Sequence, residues 1–403
     1  MGGGGSKPGS EAESGANDAK AKSTKVVNES QKTASWRRKT FSLNAETEDT
    51  ENKMTSRNDT TVLSVPVLTF RDCWKMKELP ANVSAATLGD KASKNCLAAR
   101  FAVFSRAGTS KGVPKTNQDT AVCVHPFNGS PTTVFAGVYD GHGMRGEMIS
   151  QFVGGDLPKM VKKYMERRER KGWTVEQALQ KAHEDTDLNL KFEAQTKGWN
   201  IDIAGTTAVS VYIADGKMYV CKVGDSRCVV AATCKKKVLD ADQVMDDHSP
   251  DNETEQSRIE SSGGCCSPFH GIGPNRVWLK GFENQKPGLA VTRSFGDLMA
   301  ESVGVFATPE IKCVDLFEED AEMVAVMSDG VFEHVPNQEV AVFLSQNANV
   351  HSSCENLVQE AAKRWEERIG HCDDISIVAF YVKQLGAMDE EEQTIHSKLV
   401  EES

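Results

Sequence analysis

The sequence predicts a layered α+β domain whose strands pair antiparallel. Apolar runs with strand character recur at 133–139, 206–213, 217–223, 228–232, 323–327 and 375–382. Asp215-Gly216 separates the second run from the third, and an Asp-Gly pair is typical of a two-residue hairpin turn. Such short connections favour antiparallel neighbours, because parallel strands need long crossovers. Helical patterns between the runs, without strict βαβ alternation, complete the α+β interpretation.

Three segments show helical patterns. Residues 148–168 mix apolar and basic positions, and residues 174–194 open with Thr174 and Gln177 at the spacing of a capping box. Leu357, Ala361 and Trp365 recur every four residues and share one helix face, which Ile369 extends. These segments are expected to cover the sheets.

The ends of the chain differ in composition from its centre. Residues 1–60 contain few large apolar side chains, so we expect a disordered tail, followed by a transition segment over 61–94. A folded domain is expected over 95–385, and an acidic tail over 386–403. Within the domain, residues 245–288 are polar and Gly-rich, and we interpret them as a long functional loop.

Composition excludes several classes of protein. The 403-residue chain has a net charge of -11, which disfavours nucleic-acid binding. No apolar run reaches the length of a membrane span, and no signal peptide opens the chain, so we expect a cytoplasmic protein that is not secreted. The 11 cysteines include no Cys-x-x-Cys pair, which indicates reduced thiols rather than a zinc site.

Five short segments place an aspartate at or just past an apolar run. They are Asn117-Gln118-Asp119, Tyr139-Asp140-Gly141-His142-Gly143, Gly224-Asp225-Ser226-Arg227, Ser328-Asp329-Gly330 and Cys372-Asp373-Asp374. A single Asp-Gly pair is usually a turn. Several carboxylates near a core, however, are costly unless a cation offsets their charge, and oxygen ligands suit Mg²⁺ or Mn²⁺. The repeated pattern therefore predicts a metal enzyme.

Seven segments occur together in one order along the chain. They lie at 117–119, 138–143, 204–208, 224–227, 289–297, 328–330 and 373–374. In residue type, order and spacing they resemble the metal-dependent protein phosphatase family, type 2C. The resemblance covers roughly residues 95–385.

The resemblance implies a fold and a metal centre. The fold is a β-sandwich of two antiparallel sheets flanked by α-helices, with a binuclear metal centre at one edge. The implied ligands of two Mn²⁺ or Mg²⁺ ions are Asp119, Asp140, Asp329, Asp373 and the carbonyl of Gly141. Asp202, together with Asp329, matches a third and weaker site. The segment 245–288 corresponds to the family's variable flap, whose charges, including Arg276 and Lys280, either contact substrate or face solvent.

The resemblance also implies a reaction. A hydroxide that bridges the metals, held through Asp119 and Asp140, attacks the phosphorus of phosphoserine or phosphothreonine directly, and His142 donates a proton to the leaving alkoxide. Two further pairs, Asp225 with Arg227 and Arg293 with Asp297, are interpreted as structural ion pairs near the site.

Three positions depart from the family pattern. Gln118 replaces the usual acidic residue before Asp119, Glu333 replaces an aspartate near the third metal site, and Pro114 affects phosphate binding. Many members carry a phosphate-binding arginine five residues before Asp119, where this chain has Pro114. Lys115 or Lys111 is the expected substitute, although lysine binds phosphate as a point charge rather than as a fork. The departure at Pro114 is the one support for an alternative, a catalytically weak or silent relative that acts as a binding module. A phosphodiesterase or nuclease is a third possibility, disfavoured by the acidic composition.

The N-terminus fits a lipidation pattern. Gly2 and Ser6 match the N-myristoylation motif, although a flexible Gly-Ser linker has a similar sequence. One myristoyl chain anchors weakly, so basic residues among the first 40 are expected to add attraction to anionic lipid. We expect a monomer on the cytosolic face of a membrane, with phosphoproteins as substrates.

Overall fold

Two antiparallel sheets form the centre of the molecule. The computed structural model describes residues 63–64, 101–128, 133–233, 239–316, 321–346 and 349–382, so the predictions for the N-terminal tail, most of the transition segment and the acidic tail lie outside the described residues. The first sheet has the order β1 (Leu63–Ser64), β2 (Phe101–Arg106), β18 (Ile375–Tyr381), β17 (Ala321–Met327), β10 (Arg227–Thr233) and β11 (Leu239–Gln243).

The second sheet carries the remaining long strands. Its order is β15 (Phe295–Gly296), β7 (Gly205–Thr206), β6 (Val134–His142), β8 (Ala208–Ala214), β9 (Lys217–Val223) and β16 (Glu310–Asp315), and β5 (Asp119–Val124) also pairs with β6. The predicted hairpin at Asp215-Gly216 is confirmed, because Ala214 pairs with Lys217 across β8 and β9. A small hairpin joins β3 (Thr109–Ser110) to β4 (Val113–Pro114).

The described residues form the helices α1 (Gly146–Lys171), α2 (Val175–Lys197), α3 (Glu253–Ser261), α4 (Leu298–Glu301), α5 (Asp329–Phe332), α6 (Asn337–Ser345) and α7 (Val350–Ile369). Of these, α1 and α2 cover the outer face of the second sheet, and α6 and α7 cover that of the first. The predicted capping box is present, since Thr174 and Gln177 exchange side-chain and backbone hydrogen bonds. In α7 the predicted face is buried except for Ile369, which is half exposed. None of the helices in the described part of the chain combines the length and the apolar character needed to cross a membrane.

Three hydrophobic clusters make this a four-layer sandwich. Residues from both sheets, such as Val138 and Val326, pack together in the middle. The second sheet packs against α1 and α2 through residues such as Leu157 and Leu179. The first sheet packs against α6 and α7 through residues such as Trp365. The predicted fold class is thus confirmed.

The flap segment, residues 245–288, is more ordered than the sequence indicated. It contains α3 and an antiparallel sheet of β12 (Gly264–Phe269), β13 (Ile272–Leu279) and β14 (Pro287–Leu289), so the interpretation as a loop is wrong. A small core explains the order, because Ile259 and Val277 pack with Val303 and Val305 beyond the flap. The apolar runs of these strands are short and interrupted by glycines, so the sequence did not indicate them.

One buried carboxylate ties the flap to the sandwich. Glu255 on α3 accepts from Arg293 at 2.7 Å, from Arg258 at 2.7 Å and from the Thr292 hydroxyl at 2.7 Å. Burial raises the pKa of Glu255, but the two arginines and Thr292 outweigh it and lower the pKa to about 2. The charged form is therefore strongly favoured in the folded state.

Replacing this carboxylate should destabilise the protein. We expect Glu255→Gln to lower the free energy of unfolding by about 3–5 kcal/mol at neutral pH, because it leaves two guanidinium groups without their buried partner. The folded pKa lies below the ordinary 4.5, so the stabilisation is complete above pH 4.5 and declines as the pH falls towards about 2. Denaturant unfolding at neutral and acidic pH measures both effects. Glu260→Gln, at an exposed site on the same helix, is the control, and equal losses in the two variants would refute the role of Glu255.

Candidate metal centre and active site

Strand ends deliver the aspartates to one edge of the sandwich. Asp119 is the first residue of β5 and pairs with Asp140 near the end of β6. Asp329 lies two residues beyond the end of β17, and Asp373 lies two residues before the start of β18. The two latter segments touch, because a Cβ at Gly330 would lie 1.9 Å from the carbonyl oxygen of Asp374. This close approach explains the glycine that follows Asp329.

A cavity of about 430 Å³ opens at this edge. Of the predicted site residues, it is lined by Asp140, Gly141, His142, Asp329, Asp373 and Lys115. Asp119 lies behind Asp140 on the neighbouring strand, with 7% of its surface exposed. The structure therefore brings the four predicted carboxylate ligands to one region.

Other predicted residues lie outside this cavity. Asp202 is exposed and does not line it, although its neighbour Ile203 does, and Lys111 is exposed in the turn between β3 and β4. Pro114 is exposed on β4 and contributes no charge. Gly2 lies outside the described residues. The third metal site at Asp202 and a role for Lys111 remain predictions.

Asp119 has one carboxylate oxygen in use and one without a partner. Its Oδ2 accepts a hydrogen bond from the Ser328 hydroxyl at 2.7 Å. Its Oδ1 is buried and has no hydrogen-bond partner among the described residues. Burial, followed by the charge of Asp374, raises the pKa of Asp119 to about 7. Such an oxygen is expensive to bury unless something binds it.

The neighbouring carboxyls of Asp140 and Asp329 also have raised pKa values. Burial and then the charges of Asp119 and Asp329 raise the pKa of Asp140 well above its ordinary value. For Asp329 the causes are burial and then the charges of Asp225 and Asp373. Each group is thus partly buried near others of the same sign.

The donor set fits a hard divalent cation. Among the described residues, no three His, Cys, Asp or Glu side chains are gathered closely enough to hold an ion as they stand. A cation would bind the free Oδ1 of Asp119 and lower the pKa values of the surrounding carboxyls. All of these donors are oxygens, as Mg²⁺ and Mn²⁺ prefer.

Lys115 lies between two carboxylates of the site. Its Nζ is 2.5 Å from Asp373 Oδ1 and 3.4 Å from Asp374 Oδ2. Burial lowers the pKa of Lys115, but Asp374 and Asp373 together raise it above the ordinary value. Asp374 is itself fixed by the backbone N–H groups of Gly108 at 2.6 Å and Gln118 at 2.9 Å. Much of the charge of Lys115 is therefore already matched within the protein.

His142 is held by Asp297, a buried residue that the sequence analysis paired with Arg293. Its Nε2 lies 2.6 Å from Asp297 Oδ2, which also accepts from the Ser294 hydroxyl at 2.7 Å. Burial lowers the pKa of His142, and Asp297 outweighs it, so the net shift is upward. The predicted pair of Arg293 with Asp297 is wrong, because Arg293 binds Glu255 instead.

The predicted pair of Asp225 with Arg227 is also wrong. Arg227 binds Asp247 through two nitrogens, at 2.6 Å and 3.1 Å to Oδ2, and Lys222 binds the same carboxylate at 2.7 Å. Asp225 instead lines the cavity, where burial and then Asp247 raise its pKa. Its position at a strand end, the pattern shared by the predicted ligands, was the signal that pointed to the site.

Residues of the flap segment and just beyond it complete the wall of the cavity. They are Arg276 on β13 and Pro287, Gly288, Leu289, Ala290 and Val291. They add apolar surface and one guanidinium group to the acidic lining. Apart from the open alternative for Arg276, the sequence did not indicate this wall, because it depends on how β13 and β14 pair.

Comparison with known sequences assigns the family. The family model described as Protein phosphatase 2C matches residues 105–368. The chain is 32% identical to "Probable protein phosphatase 2C 35" of Arabidopsis thaliana over 305 residues, covering 71% of this chain and 84% of the relative. It is 30% identical to "Probable protein phosphatase 2C 34" of the same plant, covering 76% and 86%.

Solved structures show the same fold. A serine-threonine phosphatase 2C from Toxoplasma gondii superposes with a TM-score of 0.61 at 19% identity, covering 70% of this chain and 94% of the other. A sex determining protein of C. elegans gives a TM-score of 0.57 at 22% identity, covering 70% and 64%. At these identities the likeness concerns the fold.

We expect the effect of Asp329→Asn on thermal stability to depend on whether metal is present. Without metal, Asp329→Asn should leave the protein at least as stable as the wild type, because it removes like-charge repulsion. With saturating Mn²⁺, the wild-type melting temperature should rise by roughly 5 °C, by mass action, and the variant should gain much less. Thermal unfolding with EDTA and with Mn²⁺ measures this. Asp240→Asn, at an exposed position on β11, should behave like the wild type, and an equal Mn²⁺ shift in all three proteins would contradict the assignment.

Proposed function

Because the chain belongs to the protein phosphatase 2C family, we propose that it hydrolyses phosphoserine and phosphothreonine in proteins with the help of two divalent cations. The observation that supports this most is the buried acidic cluster at the cavity, with the unpartnered oxygen of Asp119 behind it. An acidic pocket of this kind repels a phosphoryl dianion unless cations reverse its charge.

The aspartates and the backbone would hold the cations. Asp119, Asp140, Asp329 and Asp373 together carry the charge needed to neutralise two divalent ions, and the Gly141 carbonyl is an additional oxygen donor. When bound, two such ions supply an activated water and stabilise the oxygens of an in-line displacement. Ser328 keeps Asp119 oriented through its hydroxyl.

In the described part of the chain, no cysteine or serine side chain is available in the cavity to attack the phosphorus. Among the described residues, no cysteine or serine lines the cavity. The hydroxyl of Thr207, which does line it, is engaged with the backbone N–H of Asp140 and the hydroxyl of Ser226. Direct attack by water is therefore the reaction that the cavity favours.

In the proposed reaction, His142 protonates the leaving group. Its ring lines the cavity, and Asp297 fixes one nitrogen at 2.6 Å, which sets the orientation of the ring. A histidine that donates a proton to an alkoxide accelerates cleavage of alkyl phosphates, since an unprotonated alkoxide leaves slowly.

Membrane tethering is a separate part of the proposal. Its support is the N-terminal pattern at Gly2 and Ser6, together with a local charge of +4 over residues 1–40. An acyl chain and a basic segment together would hold the enzyme at a cytosolic membrane surface, close to phosphoproteins located there.

The activity itself is tested with three substrates. With Mn²⁺, the wild type should release phosphate from a phosphothreonine peptide and from p-nitrophenyl phosphate, but not from bis(p-nitrophenyl) phosphate. EDTA or Asp140→Asn should lower the first two rates by at least about 10²-fold. Cleavage of the diester at a comparable rate would favour a phosphodiesterase. No hydrolysis by a folded, metal-loaded protein would favour a binding module.

The proton donor is tested by comparing leaving groups. His142→Asn should slow hydrolysis of the phosphothreonine peptide by about 10²–10⁴-fold. Hydrolysis of p-nitrophenyl phosphate should slow far less, because p-nitrophenolate leaves without a proton. His270→Asn is the control, since His270 lies in an exposed turn with φ 49°, which asparagine tolerates. Equal losses on both substrates would contradict the role of His142.

Lipidation is tested with two glycine variants. When co-expressed with an N-myristoyltransferase, the wild type should gain the mass of a myristoyl group and sediment with vesicles that contain phosphatidylserine. Gly2→Ala should lose both properties, whereas Gly3→Ala should keep them. An unmodified wild-type N-terminus in this experiment would contradict the proposed anchor.

A further inference from the structure

We propose that Arg276 of the flap segment binds the phosphoryl group of the substrate. This inference rests on the proposed phosphatase function and adds to it a residue that the predicted set of Lys115 and Lys111 did not include. The argument depends on where the guanidinium group lies, what holds it, and which other cations line the cavity.

Arg276 reaches the cavity with most of its hydrogen-bonding capacity free. It lies on β13 opposite Ser267 of β12, is half-buried, and lines the cavity. Its Nη1 donates to the carbonyl oxygen of Gly288 at 2.8 Å. A guanidinium group has five N–H donors, so others remain. Within the described residues, no carboxylate forms an ion pair with Arg276.

The flap segment is built to hold this side chain. Gly288 has φ 74°, and a Cβ there would lie 2.9 Å from the ring of Trp278. Trp278 is 2% exposed, and its Nε1 donates to the Ser267 carbonyl at 2.9 Å. The buried ring therefore fixes the backbone of Gly288, whose carbonyl fixes Arg276. An arginine anchored in this way loses little further entropy when it binds a ligand.

The other cations of the region are already matched. Lys115, which also lines the cavity, binds Asp373 and Asp374. Arg227 is paired with Asp247, and Arg293 with Glu255. Among the described residues, Arg276 is the one arginine that lines the cavity.

A phosphoryl group suits this arginine chemically. Six aspartates line the cavity, namely Asp140, Asp225, Asp297, Asp329, Asp373 and Asp374, so an incoming dianion needs positive charge from the wall as well as from the metals. The planar guanidinium fork can donate two parallel hydrogen bonds to phosphoryl oxygens. Arg276 lines the same cavity as these aspartates, so its remaining N–H donors are available to a phosphoryl group bound there.

The test compares Arg276→Ala with a matched loss of charge on the same flap. Lys280→Ala is the control, because Lys280 is exposed one residue beyond β13 and does not line the cavity. With Mn²⁺, Arg276→Ala should raise both the KM for p-nitrophenyl phosphate and the inhibition constant of inorganic phosphate by about 10-fold to 100-fold, since each charge-assisted bond contributes strongly. The affinity for Mn²⁺, measured by calorimetry, should not change. Lys280→Ala should match the wild type throughout.

Several results would overturn the proposal. A higher KM for a phosphothreonine peptide alone, with unchanged values for p-nitrophenyl phosphate and phosphate, would mean that Arg276 contacts the peptide chain. Unchanged values throughout would mean that Arg276 only holds Gly288. If circular dichroism shows that the alanine variant is unfolded, Arg276→Gln, which keeps an amide donor for Gly288 but loses the charge, decides by the same criteria.

The two proposals can fail separately. If the wild type hydrolyses nothing, calorimetric titration of the Mg²⁺-loaded protein with inorganic phosphate still tests Arg276. Binding by the wild type that weakens at least about tenfold in Arg276→Ala supports the phosphate site without catalysis. Absent or equal binding overturns it.

Discussion

Repulsion among buried carboxylates is the constraint on which the rest of this structure depends. Burial and the charges of neighbouring aspartates raise the pKa values of Asp119, Asp140 and Asp329, the last two of which line the cavity. A protein can retain such an arrangement if a cation offsets it, or if the rest of the fold is stable enough to tolerate it. The packed sandwich supplies the stability, and the oxygen donors at its edge are suited to bind a cation.

The fold converts distant sequence segments into one site by ending its strands at one edge. The antiparallel pairing of β5 with β6 places Asp119 beside Asp140, and the contact of Gly330 with the Asp374 backbone joins the segments after β17 and before β18. The basic side chains around this centre differ in their partners. Lys115 offsets two aspartates, and Arg227 and Arg293 each bind a carboxylate of the fold. Arg276 is bonded to a backbone carbonyl and is the proposed phosphate ligand.

Local patterns predicted the layered α+β domain and the strand-end aspartates, whereas the two-sheet sandwich was predicted from the family resemblance. Partners across the fold were harder to predict. Asp225 with Arg227, and Arg293 with Asp297, are near in sequence, yet each arginine binds a carboxylate at least 20 residues away. Nearness along a chain says little about ion pairs once strands and a flap bring other groups closer. The flap strands were missed for a related reason, since their small core is completed by Val303 and Val305 outside the flap.

The most direct test of the metal centre is X-ray diffraction at the manganese absorption edge, from crystals grown with Mn²⁺. The account predicts two anomalous peaks in the cavity, with Asp119, Asp140, Asp329 and Asp373 among their ligands. Crystals that hold Mn²⁺ only at the surface, with no peak in the cavity, would contradict it.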